Sequence, residues 1–497
     1  MRRFLLLSVV LVFIAGCSSG NAAPAATGGA GTTPVASIVP TIDPNSLGSP
    51  RVLAWNPNTL QLGWYVNGKQ APIGQPSTGK ALAIPCGMQP NGEKLAIFQG
   101  TDPLQPYLLT INSSAAVPLE NTTGLSCALP GRTQFSPDGN RLGLIKYTTK
   151  TFDSAYATGT LQIVKLPEAT EQTSLDNVAA FDLQNDGAVV VQLFPNTKNQ
   201  AKSADVIFWD GSKTRKIDEN VGVLNPDTKA DCEFVAAKVL HVGDKVYELF
   251  GEKCKIGGSS WRIRKADFGG GNGAEVQSGK TGTNGAATYF SSSAMNEMLL
   301  LPDNKTILFT VPNGTASDLV NVARLSIADG SVNNVIGLVT TDQYPPKGQS
   351  SLLRSPKNNY LTLVTRNGDG IEQLYLYDFN APDKAPGSVA GGGKLDQVND
   401  VAWSGDGQKL FYTMVGNTQA LFVYDLKGKS NIAARGTFAG GLAVNNDGSQ
   451  ASTVETNKVA SNDVRYNLVL INTSDGSKIN LVEGAKGDKA LMPILVR

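Results

Sequence analysis

The sequence predicts an all-β fold made of repeated four-stranded antiparallel sheets. Three observations support this prediction: one turn motif recurs through most of the chain, a second series of tight turns lies between its copies, and no amphipathic helical pattern of useful length is present. The composition agrees, because only 17% of the 497 residues are charged, against about 25% in typical soluble domains. Glycine and uncharged polar residues take up the difference, as is typical of exported β-proteins.

The first series of turns places Asp-Gly, Asn-Gly or a related pair directly before an apolar or alternating run. Its most complete copies are the segments 135–139 (FSPDG) and 403–407 (WSGDG). The copies that keep an Asp-Gly or Asn-Gly pair are Asn91-Gly92, Asp138-Gly139, Asp186-Gly187, Asp406-Gly407 and Asp447-Gly448. Looser copies are Gly243-Asp244, Asp303-Asn304 and Lys357-Asn358, and successive copies are 41 to 60 residues apart.

The second series ends strand-like runs at Asn67-Gly68, Asp210-Gly211, Asp329-Gly330, Lys427-Gly428 and Asp475-Gly476. Asn-Gly and Asp-Gly favour two-residue hairpins because both central residues of a type I′ turn need positive φ. Two hairpin turns per repeat imply four strands, and four antiparallel strands in roughly 50 residues, repeated, predict a β-propeller. The alternative, a string of β-sandwich domains, would need about seven or more strands per unit.

The segments 135–139 and 403–407 resemble the W/F-S-P-D-G signature of the WD40-like (PD40) repeats in the TolB propeller and its relatives. The resemblance is clear in these two copies and looser in the others, yet it spans nearly the whole body of the chain. It implies a fold rather than one activity, since such propellers serve as scaffolds, as targets of inhibitors and as lids of enzymes.

The C-terminal strand is expected to complete the N-terminal blade. The segment 489–495 (KALMPIL) resembles 80–85 (KALAIP), the innermost strand of the first full repeat, whereas 51–70 supplies outer strands with no inner strand before them. Pairing the two ends would satisfy sheet edges that otherwise stay unpaired. A literal count of turns plus this strand suggests nine blades, but propellers usually have about four to eight. We therefore expect eight blades, with seven to nine possible.

The N-terminal residues have the three parts of an export signal. Arg2 and Arg3 precede an apolar run over 4–14, which ends in Ile14-Ala15-Gly16-Cys17. The run is too short for a stable membrane-spanning helix, which needs about 20 residues. Residues 14–17 resemble the lipobox of bacterial lipoproteins, which implies cleavage before Cys17, a diacylglycerol on its thiol and an acyl chain on the new amine. An ordinary signal peptide with an incidental cysteine is the alternative.

Three segments are thus expected: a signal peptide over 1–16, a lipidated disordered tether over 17–50 and the propeller over 51–497. The tether is mostly Gly, Ala, Ser, Thr and Pro with Asp43 its only charge, a composition that cannot bury enough surface to offset chain entropy. The lipid would anchor the protein on the extracytoplasmic side of the cell envelope. Because Ser18 and not Asp follows the cysteine, we expect the outer membrane in a diderm, and in a monoderm the outer face of the plasma membrane.

Four cysteines remain once Cys17 carries lipid, an even number in an oxidising compartment. Cys232 and Cys254 are each eleven residues from Gly243, so a hairpin turning at Gly243-Asp244 would place them opposite each other. Cys86 and Cys127 would then pair by elimination. Free buried thiols are the alternative. No metal site is expected, since the chain has no C-x₂-C spacing and one histidine.

The residues give little support for catalysis or for any cofactor besides the lipid. No G-x-S-x-G motif is present, and the sole histidine, His241, lies in an apolar strand where a structural role is expected. The segment 182–187 imitates half of a calcium loop, but Leu193 stands where an EF-hand has its last glutamate, so we expect a turn. A balance of 43 Lys and Arg against 42 Asp and Glu argues against nucleic acid as a partner.

The expected function is therefore a non-enzymatic scaffold that binds a protein or a cell-envelope polymer through loops around the mouth of the propeller. A carbohydrate- or peptide-active enzyme with acidic residues at the propeller channel is the alternative. The tryptophans could line a sugar-binding face, but packing between blades is the expected role for Trp55, Trp64, Trp209, Trp261 and Trp403.

Overall fold

Every regular element of the protein that the computed structural model describes is a β-strand, which confirms the all-β fold class. Within this part of the chain, no helix is long and apolar enough to cross a membrane. The described residues are 48–59, 61–73, 82–89, 94–100, 105–110, 115–118, 133–147, 158–166, 170–195, 201–222, 232–254, 259–271, 273–281, 298–312, 319–339, 352–356, 360–366, 372–391, 396–427 and 429–497.

The strands form antiparallel sheets that follow one another in chain order. Sheet 1 begins with β1 (Val52–Asn56), β2 (Gln61–Val66) and β3 (Lys69–Ile73). Sheet 2 contains β4 (Leu82–Met88), β5 (Lys94–Gly100), β6 (Gln105–Thr110) and β7 (Ala115–Pro118). Sheet 3 contains β8 (Thr133–Phe135), β9 (Arg141–Tyr147), β10 (Gly159–Lys165), β11 (Thr170–Leu183), β12 (Ala188–Pro195), β13 (Ala201–Trp209) and β14 (Thr214–Gly222).

The remaining sheets each contain four strands. Sheet 4 contains β15 (Cys232–Val242), β16 (Lys245–Cys254), β17 (Ser259–Asp267) and β18 (Ala274–Thr281). Sheet 5 contains β19 (Met298–Leu300), β20 (Thr306–Pro312), β21 (Leu319–Ser326) and β22 (Val332–Val339). Sheet 6 contains β23 (Leu352–Arg354), β24 (Tyr360–Arg366), β25 (Glu372–Asp378) and β26 (Gly387–Gly391). Sheet 7 contains β27 (Gln397–Trp403), β28 (Lys409–Val415), β29 (Ala420–Asp425) and β30 (Lys429–Arg435). Sheet 8 contains β31 (Phe438–Val444), β32 (Gln450–Ala460), β33 (Asp463–Asn472) and β34 (Lys478–Val482).

The last strand, β35 (Met492–Val496), is the fourth strand of sheet 1, whose order is β3-β2-β1-β35. It runs antiparallel to β1, with Val52 opposite Val496. Just beyond this pair, the backbone N–H of Arg51 donates to Arg497 O at 2.6 Å and the N–H of Arg497 donates to Arg51 O at 2.9 Å. The C-terminal strand therefore pairs with the N-terminal sheet, and closure of the whole propeller through this pair stays a prediction.

Sheet 3 consists of two four-stranded units that share β11. Residues 170–178 of β11 pair with β10, and residues 178–183 pair with β12. The strand is outermost in the first unit and innermost in the second, with no loop between them. Asn177 has a φ of 59° at this change of partner, a left-handed conformation that asparagine tolerates better than most residues. The described strands form eight sheets, one of them double, and the number of blades stays a prediction.

The hydrophobic core consists of separate clusters, each of which lies between two neighbouring sheets. Each pair of sheets consecutive in the chain shares a cluster of buried apolar residues, as do the two units of sheet 3. A further cluster, with Val52, Val454 and Leu468 among its members, joins sheet 8 to sheet 1. Successive four-stranded meanders packed against each other define a β-propeller, which confirms the predicted class. As expected, the tryptophans are buried: Trp55, Trp64, Trp209, Trp261 and Trp403.

Candidate functional site

Several predicted site residues lie outside the residues that the structure describes, and their roles stay predictions. These are the lipobox residues Ile14, Ala15, Gly16 and Cys17, the turn residues Asn91 and Gly92, and Cys127.

The repeat turns form hydrogen-bonded units. The Ser136 hydroxyl donates to Asp138 Oδ1 at 2.6 Å and accepts from the backbone N–H of Arg141 at 2.9 Å. Asp138 Oδ1 also accepts from the N–H of Asn140 at 3.0 Å. Gly139, with a φ of 72°, completes the reversal of the chain. The same hydroxyl contacts recur in the other complete copy, which uses Ser404, Asp406 and Lys409.

Neighbouring turns are also bonded to each other. Gln89 donates through Nε2 to Gly139 O at 2.8 Å, and Asp406 donates its backbone N–H to Asn446 O at 2.7 Å. These contacts join sheet 2 to sheet 3 and sheet 7 to sheet 8. The described turn residues all lie between consecutive strands of one sheet, namely Asp138, Gly139, Asp186, Gly187, Asp406, Gly407, Asp447 and Gly448.

Cys232 and Cys254 are opposite each other in the register of β15 and β16. The hairpin turns at Gly243-Asp244, where Gly243 has a φ of 61°, so the predicted register is confirmed. Directly opposed residues of antiparallel strands have Cα atoms about 4.5–5.5 Å apart, within the range that a disulfide spans. The disulfide itself stays a prediction. Cys86 lies in β4, and its predicted pairing with Cys127 is likewise untested.

Polar contacts around Asp182 link three successive inner strands. Gln134 of β8 donates through Nε2 to Asp182 Oδ1 at 3.4 Å and accepts from the N–H of Leu183 at 3.0 Å. The backbone N–H of His241 in β15 donates to Asp182 Oδ2 at 2.8 Å. The imidazole of His241 stacks on Phe268 with ring centroids 4.1 Å apart. The segment 182–187 is thus a turn, and the carboxylate of its first residue, Asp182, accepts hydrogen bonds from the protein. Among the described residues, no group of three or more His, Cys, Asp or Glu could hold a metal ion.

A cluster of charged residues is buried where sheet 3 meets sheet 4. Arg264 Nη2 lies 2.6 Å from Asp218 Oδ2, and Arg264 Nε lies 3.5 Å from Glu248 Oε2. Arg262 Nε lies 2.9 Å from Glu252 Oε1. These three carboxyl groups share two guanidinium groups. Burial, followed by the negative charge of Asp218, raises the pKa of Glu248 from 4.5 to about 8, so its carboxyl is mostly protonated at neutral pH.

A cavity of about 420 Å³ lies between sheet 1 and sheet 8. We call it the seam cleft. Its walls come from the end of β1, from the β2–β3 hairpin, and from β34 with the residue that follows. The lining residues are Asn56, Tyr65, Asn67, Gly68, Gln70, Asn480, Leu481, Val482 and Glu483.

The floor of the seam cleft is buried and its rim is exposed. Asn56 and Tyr65 are 8% and 2% exposed, whereas Asn67, Asn480 and Glu483 are exposed. Burial raises the pKa of the Tyr65 hydroxyl to about 12, and the nearby Asn56 side chain acts in the opposite direction. The phenol therefore stays protonated over the physiological range and can donate a hydrogen bond.

Local structure orients the polar groups of the seam cleft. Asn56 Oδ1 accepts the backbone N–H of Asn58 at 2.9 Å, which fixes the direction of its amide. Asn67, with a φ of 42°, and Gly68, with a φ of 76°, form the tight turn that the sequence predicts between β2 and β3. Asn480 Nδ2 lies 3.5 Å from Glu483 Oε1 at the rim.

The seam cleft and the charged cluster do not follow from sequence patterns. Of their residues, the sequence marks Asn67-Gly68, and it marks them as a turn. The cleft depends on contact between strands that are over 400 residues apart in the chain. A signal for the cluster does exist, because Glu248 and Glu252 flank Phe250 on one face of a strand whose other residues are mostly apolar.

No protein-family model matches the chain, and no curated protein matches it. Solved structures are similar to it. An oligogalacturonate lyase in complex with manganese has 10% identity and a TM-score of 0.40, covering 91% of this chain and 86% of that one. The C-terminal WD40 domain of Sif2 has 12% identity and a TM-score of 0.43, covering 80% and 98%. The β-propeller domain of the trilobed protease from Pyrococcus furiosus has 13% identity and a TM-score of 0.36, covering 70% and 97%.

The order of strands in the sheets, the packing of neighbouring sheets and the seam cleft together define the structural class of this protein. It is a β-propeller with a polar cleft between its first and last sheets.

Proposed function

We propose that this chain is an extracytoplasmic lipoprotein that binds a cell-envelope polymer without changing it chemically. Lipid on Cys17 would anchor it, and 17–50 would hold the propeller away from the membrane. The observation that carries the binding role is the seam cleft, whose volume of about 420 Å³ lies in the range of about 300–1,000 Å³ typical of ligand sites. Gln70 and Asn480 lie on strands, and Asn67 and Glu483 each directly follow the end of a strand.

The positions of the acids support binding rather than catalysis. Hydrolysis of a glycosidic bond uses two carboxyl groups roughly 5 to 9.5 Å apart, and the seam cleft is lined by one, that of Glu483. Burial raises the pKa of two other carboxyls, Asp182 and Glu248, but these are 7% and 0% exposed between sheets. A general acid has to come within hydrogen-bond distance of its substrate.

Cosedimentation with the insoluble wall polymer of the host tests the binding role. Full-length lipidated protein in detergent should sediment with the polymer, and the double variant Asn480→Ala/Glu483→Gln should remain largely in the supernatant. Asn431→Ala is the matched control, because Asn431 is an exposed asparagine on β30, the outermost strand of sheet 7. Equal sedimentation of wild type and double variant would overturn the role of the cleft, and release of soluble fragments would indicate an enzyme.

Processing of the N-terminus tests the anchor. Inhibition of lipoprotein signal cleavage with a globomycin-type compound should leave a precursor of lower electrophoretic mobility, and labelled palmitate should enter the wild type but not Cys17→Ser. Unchanged mobility together with no label in the wild type would show that the protein is not a lipoprotein.

A further inference from the structure

We infer that the seam cleft recognises an uncharged saccharide chain. This inference rests on the proposed function and names the ligand class for the same site. It follows from the charge of the lining, from its hydrogen-bonding groups and from the polar side chains that form its exposed rim.

The charge of the lining disfavours anionic ligands. Glu483 is its one ionisable carboxylate, and no lysine or arginine is among the lining residues. The lysine of β34, Lys478, is paired with Glu455 at 2.6 Å between Nζ and Oε1. Phosphate- or uronate-bearing polymers would therefore meet a negative charge with no lining cation to offset it.

The hydrogen-bonding groups match hydroxyls. The amides of Asn67, Gln70 and Asn480 each combine a donor with an acceptor. A sugar hydroxyl also donates and accepts, so neighbouring hydroxyls on a ring can satisfy both halves of one amide. Neutral hydrogen bonds of this kind select for a ligand with closely spaced hydroxyls, because an unmatched amide would lose its water partners without replacement.

The apolar groups of the cleft do not suit a peptide. Peptide and protein partners are usually held by a few large side chains in desolvated pockets. Here the apolar and aromatic side chains of the lining are Tyr65 and Leu481, which are 2% and 1% exposed, and the half-buried Val482. The exposed rim is instead formed by Asn67, Asn480 and Glu483.

A saccharide in the cleft would touch both sheet 1 and sheet 8. It would contact the β2–β3 hairpin on one side and β34 on the other, and so join the first and last sheets next to the β1–β35 pair. A ligand that binds only the assembled seam stabilises it by mass action. Binding should therefore slow amide hydrogen exchange in β1 and β35 as well as in the cleft walls.

Calorimetry with full-length protein tests the inference, using chitotetraose and maltotetraose as uncharged probes, tetragalacturonate as an anion and tetra-alanine as a peptide. At least one uncharged saccharide should bind, and exchange in β1 and β35 should slow in its presence. Asn480→Ala and Gln70→Ala should each weaken that binding by roughly two- to tenfold, the loss expected for one neutral hydrogen bond. Asn431→Ala should bind like the wild type, and Glu483→Lys should shift the preference toward tetragalacturonate.

Three results would overturn the inference. These are no binding of either uncharged saccharide, saccharide binding that is unaffected by both cleft substitutions, and tetra-alanine binding that Asn480→Ala removes. If wall polymer still cosediments in a cleft-dependent way while both saccharides fail, the ligand class is wrong and the proposed function stands. If neither the polymer nor the saccharides bind, both fail.

Discussion

The side-chain amide of Asn58 hydrogen-bonds both backbone groups of Lys489. Asn58 Nδ2 donates to Lys489 O at 3.0 Å, and the N–H of Lys489 donates to Asn58 Oδ1 at 2.7 Å. This contact lies at one end of the β1–β35 pair, and the reciprocal backbone bonds of Arg51 and Arg497 lie at the other. The last strand is therefore held to the first at both ends.

Replacing Asn58 should loosen the N-terminal end of β35. Two neutral hydrogen bonds are lost in Asn58→Ala, each contributing about 0.5–1.5 kcal/mol, and the contact is exposed, so we expect a total of about 1 kcal/mol. Amide hydrogen exchange over 52–56 and 492–496 should become roughly fivefold faster, while strands of sheets 5 and 6 are unchanged. Asn431→Ala serves again as the control, and unchanged exchange in Asn58→Ala would contradict the prediction.

The stability of the protein should depend on pH through Glu248. Its pKa is raised to about 8 in the folded state, so folding favours the protonated carboxyl. The corresponding stability is fully present below about pH 4.5 and is lost as the pH rises through 8, with a size on the order of a few kcal/mol. Glu248→Gln keeps the shape and removes the titration. Urea unfolding should show the variant gaining stability relative to wild type between pH 5 and pH 9.

A matched variant, Glu252→Gln, separates the titration of Glu248 from the loss of an ion pair. Glu252→Gln removes the partner of Arg262, so a buried guanidinium loses its counter-charge and the variant should be less stable than wild type at pH 5 and at pH 7. Equal pH profiles for wild type and Glu248→Gln would show that Glu248 does not hold a proton in the folded protein.

Adding a methyl group at Gly187 should be strongly destabilising. A Cβ there would overlap the carbonyl oxygen of Trp209 and the ring of Phe208 in the neighbouring strand. Because the closest atom belongs to the backbone, relief requires a shift of β13, and overpacking of this kind costs about 1–3 kcal/mol or more. Gly222→Ala is the control, since no atom of the described residues lies within 4 Å of a Cβ at that position, and it should change stability by less than about 0.5 kcal/mol. Similar melting temperatures for the two variants would refute the prediction.

Cys232 and Cys254 should form a disulfide bond in protein isolated from the cell envelope. Their opposed positions on β15 and β16 place their Cα atoms within the range that a disulfide spans. Peptide mapping without reductant should recover the linked pair, and the double variant Cys232→Ser/Cys254→Ser should lose about 2–4 kcal/mol of stability. Recovery of two free thiols at these positions would disprove the bond.

Much of the fold follows from local rules in the sequence. Asp138-Gly139 and Gly243-Asp244 mark turns because glycine adopts positive φ without strain, and the observed φ values of 72° and 61° are of this kind. Once a hairpin turn is placed, the register of its strands follows, which is why the alignment of Cys232 with Cys254 was predictable. The likeness of the two ends of the chain was likewise enough to predict that β35 pairs with β1.

The sequence by itself determined the all-β class, the hairpin turns and the pairing of the two chain ends, because these depend on short-range conformational preference and on a repeated strand pattern. Only the tertiary structure decided that β11 serves two units, that Asp218 and Glu248 share Arg264, and that Tyr65 and Asn480 line one cleft. Each of these depends on which faces of distant strands meet when sheets pack. No local pattern specifies that contact, since a polar side chain on a strand has the same spacing whether it faces water or the next sheet.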